Sequence, residues 1–177
     1  MPQINFNPFP YLKTERLQLR PLTMQDENEI FALRSDERVL KYLRRPKAES
    51  IENARAFITK ITNGLSPNKW VYWALEEKES RQLIGTICLW NISECKTRAD
   101  IGFETLPNFQ RKGYTYEAIL LVLDYGFKEM KLKVIEAKVN PKNIKSIKLL
   151  EKSGFVLFRK DEKILNYKLT KQNYSNY

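Results

Sequence analysis

Read for the spacing of its apolar positions, the first half of the chain resolves into a strand, three helices and a hairpin. Thr14-Glu15-Arg16-Leu17-Gln18-Leu19-Arg20-Pro21-Leu22 alternates from Leu17 onward and predicts a strand. Thr23, with Asp26 three residues later, marks a helix start whose apolar face is Ile30, Phe31 and Leu33. Ser35-Asp36 interrupts it and caps a second short helix holding Val39, Leu40 and Leu43, which Pro46 stops. Ser50 caps a third, with Ile51, Ala54, Phe57, Ile58 and Ile61 on one face and Asn63-Gly64 as its exit. Trp70 to Leu75 and Leu83 to Trp90 read as paired strands across the polar turn Glu76 to Gln82.

The second half continues the alternation. Ala99 to Leu106 is a strand, broken by Pro107-Asn108, and Tyr116 to Glu129 carries Ala118, Leu121, Val122 and Tyr125 at helical spacing. Val134 to Val139 is a further strand. Asn143 caps a helix through Ile144, Ile147, Leu149 and Leu150 that Gly154 ends, and Phe155–Phe158 and Ile164–Leu169 form a closing pair of strands. The tail, residues 170–177, reads as loose. These elements make an α/β (α+β) chain of one domain, 1–177, without repeat or linker.

Between the Ala99 strand and the Tyr116 helix lies Gln110-Arg111-Lys112-Gly113-Tyr114-Thr115. A helix start offers unpaired N–H groups and partial positive charge, Gly113 lets backbone approach closely, and Arg111 and Lys112 add charge. The chemistry points to a phosphate. The loop is neither a Walker A sequence nor GxGxxG.

Composition narrows the classes. With 42% apolar residues the chain has material for a substantial core, and no apolar run is long enough to span a bilayer. Met1-Pro2-Gln3-Ile4-Asn5 does not read as a secretory signal. There is no histidine, so His-based catalytic triads and His-containing metal sites are excluded; Cys88 and Cys95 alone are too few for a structural zinc, and no metal is expected. Two reduced thiols in a cytoplasmic protein are the expectation. The net charge of +10 draws anionic partners, among them a phosphorylated cofactor or RNA-bound protein.

Gln-x-x-Gly-x-(small) after a strand ending Leu-Pro resembles the acetyl-CoA pyrophosphate loop of the GNAT N-acetyltransferases, with Thr115 where Gly or Ala is more usual. Thr14 to Arg20, Leu83-Ile84-Gly85-Thr86, Ala99 to Phe103, and Asn143-x-x-Ser146 leading to Leu150-Glu151-Lys152-Ser153-Gly154-Phe155 extend the likeness to the RimJ/RimL-type branch, whose best-known members acetylate ribosomal-protein N-termini. The resemblance implies a GNAT fold: a mostly antiparallel mixed sheet of about seven strands, a splayed strand pair holding acetyl-CoA, and flanking helices.

The resemblance further implies roles. Phe103 and Thr105 would pair with the pantetheine arm through their backbone. Gln110, Arg111, Lys112, Gly113, Tyr114 and Thr115 would hold the pyrophosphate, and Asn143 and Ser146 would face pantetheine and sulfur. Asp100 and Glu104, four apart on one strand face with Gly102, are the candidate bases unless a bulge shifts the register. Leu150 stands where many relatives place an acid tyrosine, leaving Ser146 as the hydroxyl donor to the leaving thiolate. Arg34, Tyr42, Trp73 and Trp90 are candidates for the amine side. The expected acceptor is a protein or peptide N-terminal amine. A small-molecule amine (polyamine, aminoglycoside, amino acid) is the second reading, and a non-catalytic RNA- or ribosome-associated module the third. Direct nucleic-acid or membrane binding is not expected, and monomer and homodimer both stay open.

Overall fold

The computed structural model describes residues 4–174. Eight strands form one sheet in the order β1-β2-β3-β4-β5-β6-β8-β7. The strands are β1 Leu12–Lys13, β2 Leu17–Arg20, β3 Val71–Glu77, β4 Leu83–Trp90, β5 Arg98–Thr105, β6 Val134–Val139, β7 Val156–Lys160 and β8 Leu165–Thr170. The two-residue β1 is the strand that the sequence pattern does not show. Every neighbouring pair is antiparallel except β5 and β6.

The helices are α1 Glu27–Ser35, α2 Glu37–Leu40, α3 Ile51–Leu65, α4 Tyr114–Lys128, α5 Ile144–Lys152 and α6 Lys171–Tyr174. Thr23 with Asp26, and Ser50 with Asn53, form the reciprocal caps that fix the entries to the α1 region and to α3. Asp36 ends α1 and caps α2, its carboxylate accepting from Arg38 N–H. The predicted exit of α3 at Asn63-Gly64 is corrected: the helix runs through both to Leu65, because Gly64 gives way to the Trp70 ring. A Cβ there would lie 1.9 Å from that ring. The tail is corrected too. Lys171–Tyr174 is helical, and Tyr174 sits 5.0 Å from Phe127 while donating to Asp124 at 3.2 Å; residues 175–177 lie outside the described residues.

Two apolar clusters sandwich the sheet. Trp73, Leu75, Ile87 and Leu89 share the larger one with Ala118, Ile119, Val122 and Phe127 of α4. Ala74 and Leu83 share the smaller with Ile30 of α1 and Ala54, Ile58 and Ile61 of α3. Strand alternation thus sends Trp73 under α4 and Tyr72 under α3.

β5 is the strand on which the site depends. It pairs with β4 without interruption from Asp100↔Trp90 to Thr105↔Gly85, so no bulge disturbs the common face of Asp100, Gly102 and Glu104. Its parallel pairing with β6 covers Arg98 to Asp100 and then stops, while β6 continues along β8 to Val139. The two strands part beyond Asp100. Leu106 N–H donates to Ile84 at 2.9 Å, so even-numbered β5 residues turn their backbone groups toward β4, and Phe103 and Thr105 turn theirs to the open edge.

Candidate active site

The fork between β5 and β6 is pinned at its apex by Asp100. This buried carboxylate accepts from Arg98 at 2.9 Å, Lys138 at 3.0 Å and Asn91 at 3.0 Å, and Arg98 reaches on to Glu136 of β6 at 3.3 Å. As a candidate base Asp100 is therefore consumed: both oxygens are held in ion pairs, and it does not line the cavity described below.

At the wide end of the fork, α4 begins. Gly113 is its cap residue at φ 86°, with no side-chain cap, so the first-turn N–H groups face outward unclaimed by a capping side chain. Tyr114 and Thr115, read as loop, are the first helical residues. Arg111 is also left-handed at φ 64°, and such an alternating turn gathers N–H groups into an anion-binding hollow. Gln110 does not point into that hollow; its amide donates to Thr105 C=O at 3.0 Å and ties the loop to β5. Thr105 and Thr115 share a hydroxyl bond of 2.7 Å, which is the use made of a threonine in place of the smaller residue. Tyr114 is buried and donates to Glu77, while Lys112 lies 5.2 Å over the Phe109 ring.

Sequence reasoning missed Arg16 as a loop residue. Its guanidinium donates to Lys112 C=O at 3.1 Å and Glu117 at 2.7 Å and lies 4.4 Å over Tyr114, so a second basic layer backs Gly113. Across the fork Asn143 caps α5, accepting from Ser146 N–H at 3.2 Å, and the Ser146 hydroxyl makes no hydrogen bond with any described residue. Leu150 is a core residue at 1% exposure, with no access for proton transfer.

On the opposite side of β5, α1, α3 and the β3–β5 face enclose a cavity of about 290 Å³. Arg34, Arg45, Phe57, Tyr72, Trp90 and Glu104 contribute to its wall. Glu104 is held by both guanidinium arms of Arg45, the second at 2.7 Å. Arg45 lies in an irregular segment before α3 and carries no local signal; an Arg-Arg-Pro stretch reads only as a helix stop. Tyr72 donates to Thr86 at 3.0 Å, and burial raises its phenol well above the ordinary range. Burial also pushes the Cys88 thiol up to about 12, so it lines the cavity as a neutral group.

Of the four residues expected on the amine side, Arg34 and Trp90 line this cavity. Trp73 is corrected: it is fully buried on the other sheet face, donating to Pro10 C=O at 2.7 Å and packed 5.5 Å from Tyr125. Tyr42 is corrected as well, lying in the turn after α2 with Lys41 5.3 Å over its ring and outside the cavity wall.

A parted strand pair, a helix cap without a capping side chain beside it and a cavity lined by the same strand thus lie together around β5. The sequence profile of the acetyltransferase (GNAT) domain matches residues 16–156. The chain belongs to the GNAT acetyltransferase family. It is an acyltransferase, and acetyl-CoA is the acyl donor of this family. An uncharacterized N-acetyltransferase of Bacillus subtilis (strain 168), YoaA, is 37% identical over 147 residues, 83% of each chain. Spermidine N-acetyltransferase from Vibrio cholerae, solved with CoA and spermine, superposes at a TM-score of 0.78 with 24% identity, covering 92% of this chain and 100% of that one. Ribosomal-protein-S5-alanine acetyltransferase from Vibrio fischeri superposes at 0.79 with 20% identity, covering 93% and 98%. At those identities the two solved structures speak for the fold.

Among the described residues no cluster of three or more His, Cys, Asp or Glu is placed to hold a metal, and no helix is long and apolar enough to cross a membrane.

Proposed function

We propose that this GNAT enzyme acetylates an α-amino group, with a peptide or protein N-terminus of the ribosomal-protein type as the leading acceptor. Residues of the fork fit acetyl-CoA: the first-turn N–H groups of α4 with Arg111, Lys112 and Gly113 hold the pyrophosphate, and the Phe103 C=O and Thr105 N–H on the open edge meet the pantetheine amides. The bound thioester supplies an activated acyl group. Phe103 N–H also faces the developing oxyanion, the Ser146 hydroxyl donates to the departing sulfur, and Glu104 takes the proton on its lone pairs not claimed by Arg45. The new C–N bond forms as the C–S bond breaks; the nitrogen loses one proton and the sulfur ends as a thiol.

The observation that carries this reading is the open β5 edge beside the side-chain-free cap at Gly113, with Glu104 presented from the same strand into the cavity. The α-amine follows from how little deprotonating power the cavity holds. An α-amino group of pKa about 8 is roughly one-tenth neutral at neutral pH, against roughly one in 2,500 for a lysine-type amine near 10.4. One guanidinium-bound carboxylate suits the first. Polyamines and aminoglycosides, as polycations, meet Arg34, Arg45 and Lys60 in that wall, so a compact amino compound is the small-molecule alternative.

Release of CoA thiol against N-terminal peptides, amino acids and spermidine is the direct test. Turnover is expected with α-amines, and Glu104→Gln should lower kcat by about 10²-fold or more. Exclusive turnover of spermidine would refute the acceptor assignment.

A further inference from the structure

The cavity that receives the acceptor has the wrong charge for a simple amine. Its wall holds three cations, Arg34, Arg45 and Lys60, against the single carboxylate of Glu104. Arg45 spends its charge on Glu104, and its buried Nε still finds no acceptor among the described residues. Arg34 and Lys60 are left without a carboxylate partner among the described residues.

Arg34 is the informative one. It projects from the last turn of α1, half-buried, with its guanidinium stacked 3.9 Å over the Phe57 ring of α3. Burial first, and then the Arg45 charge, pull its pKa below the ordinary arginine value, and Glu104 offsets this only in part. A guanidinium carries five N–H donors in a rigid fork and stays charged. Holding it in that wall with no ion-pair partner of its own among the described residues is costly, and the Phe57 ring beneath it restricts the guanidinium before any ligand arrives. Such a fork is complementary to a carboxylate, which it grips through two parallel N–H···O contacts.

We infer that the acceptor carries a carboxylate of its own next to the amine, with Arg34 as its receptor and Lys60 at the cavity rim. This rests on the acetyl-transfer reading above and narrows its substrate. The cavity volume, about 290 Å³, lies near the lower end of ligand pockets, about 300–1,000 Å³. It suits one amino-acid-sized unit. Two sources present that chemistry: a free amino acid through its α-carboxylate, or a peptide beginning with Asp or Glu through its side chain. In either case the carboxylate is unchanged, the amine becomes an acetamide and CoA leaves as the thiol.

The test uses the full chain with acetyl-CoA and follows thiol release. The acceptors are free amino acids, the corresponding amino-acid amides, C-terminally amidated peptides beginning with Glu or Gln, and spermidine. Acid-bearing acceptors should exceed their neutral counterparts by about tenfold or more in kcat/KM, the scale of one charge-assisted contact. The free amino acids and the Glu peptides separate the two sources. Arg34→Gln should lose about tenfold more on the acid than on the matching amide, chiefly in KM, and Arg34→Lys should recover part of that loss. Thermal stabilisation of each variant by acetyl-CoA shows that it is folded and that the donor site is intact. Equal rates for acid and amide, preference for spermidine, an equal loss on both acceptor types in Arg34→Gln, or acetyl-CoA binding without turnover or binding of any acid-bearing acceptor would overturn the inference. Absence of acetyl-CoA binding in the wild type would instead defeat the transfer reading beneath it.

Discussion

Cys95 and Cys88 show how neighbours set the chemistry of one residue type. Cys95 is exposed, and the Ser93 and Thr97 hydroxyls, at 3.4 and 3.0 Å, lower its pKa to about 7. Cys88 lies on β4 against Gly102 of β5, on the cavity side, held neutral by burial. Alkylation should therefore label Cys95 with a rate that rises through a midpoint near pH 7, while Cys88 reacts only after unfolding; mass spectrometry of the two peptides reads this directly. The sign for stability follows from the lowered value. Cys95 contributes fully above its unfolded pKa, and the contribution fades as pH falls through about 7. Residue identity was the least legible level from sequence. The parity of β3 decides that Tyr72, not Trp73, faces the cavity beside Glu104, and a run of apolar and aromatic neighbours carries no mark of which face is which. Arg45 was invisible for another reason: its partnership with Glu104 spans 59 residues, and no local pattern encodes it.

At the scale of elements, most boundaries follow from caps and breakers that periodicity brackets. Asp36, Ser50 and Asn143 cap α2, α3 and α5 as their side chains dictate, and the β6 boundaries match the apolar run. The exceptions have tertiary causes. Gly64 reads as a helix exit because glycine usually ends helices, yet here it is a notch for Trp70, whose indole donates to Ile61 C=O at 3.0 Å. Gly64→Ala must displace that ring. It should cost about 3 kcal/mol, the upper end for overpacking a filled core, and a denaturant titration would show it. The helical 171–174 segment was hidden because its stability comes from Phe127 and Asp124 on α4, not from its own sequence. The β5–β6 fork depends on a small ionic apex. Asp100→Asn leaves Arg98 and Lys138 short of a counter-charge, so it should destabilise the fold by about 3 kcal/mol, measured the same way. A loss of activity without a loss of stability in Asp100→Asn would instead return that carboxylate to the catalytic candidates.

For the whole molecule, the proposed reaction asks one strand to solve two recognition problems: the open edge of β5 would serve the acyl donor while Glu104, on its other face, lines the cavity proposed for the acceptor. The net charge of +10 supports the donor side of this arrangement, with Arg16 and Lys112 packed around the Gly113 turn. Gly113 is the backbone position on which donor binding depends most directly in this proposal. At φ 86° a side chain is strained, its Cβ would meet the Arg16 guanidinium at 3.3 Å, and a carboxylate there would repel a pyrophosphate. The decisive measurement is thermal unfolding of the wild type and Gly113→Glu with and without acetyl-CoA. At a hundredfold excess over Kd, binding contributes about 2.7 kcal/mol, or about 5–10 °C in Tm for a chain of this size. That rise is expected for the wild type and none for Gly113→Glu. An equal rise in both proteins, or no rise in the wild type, would contradict the proposal.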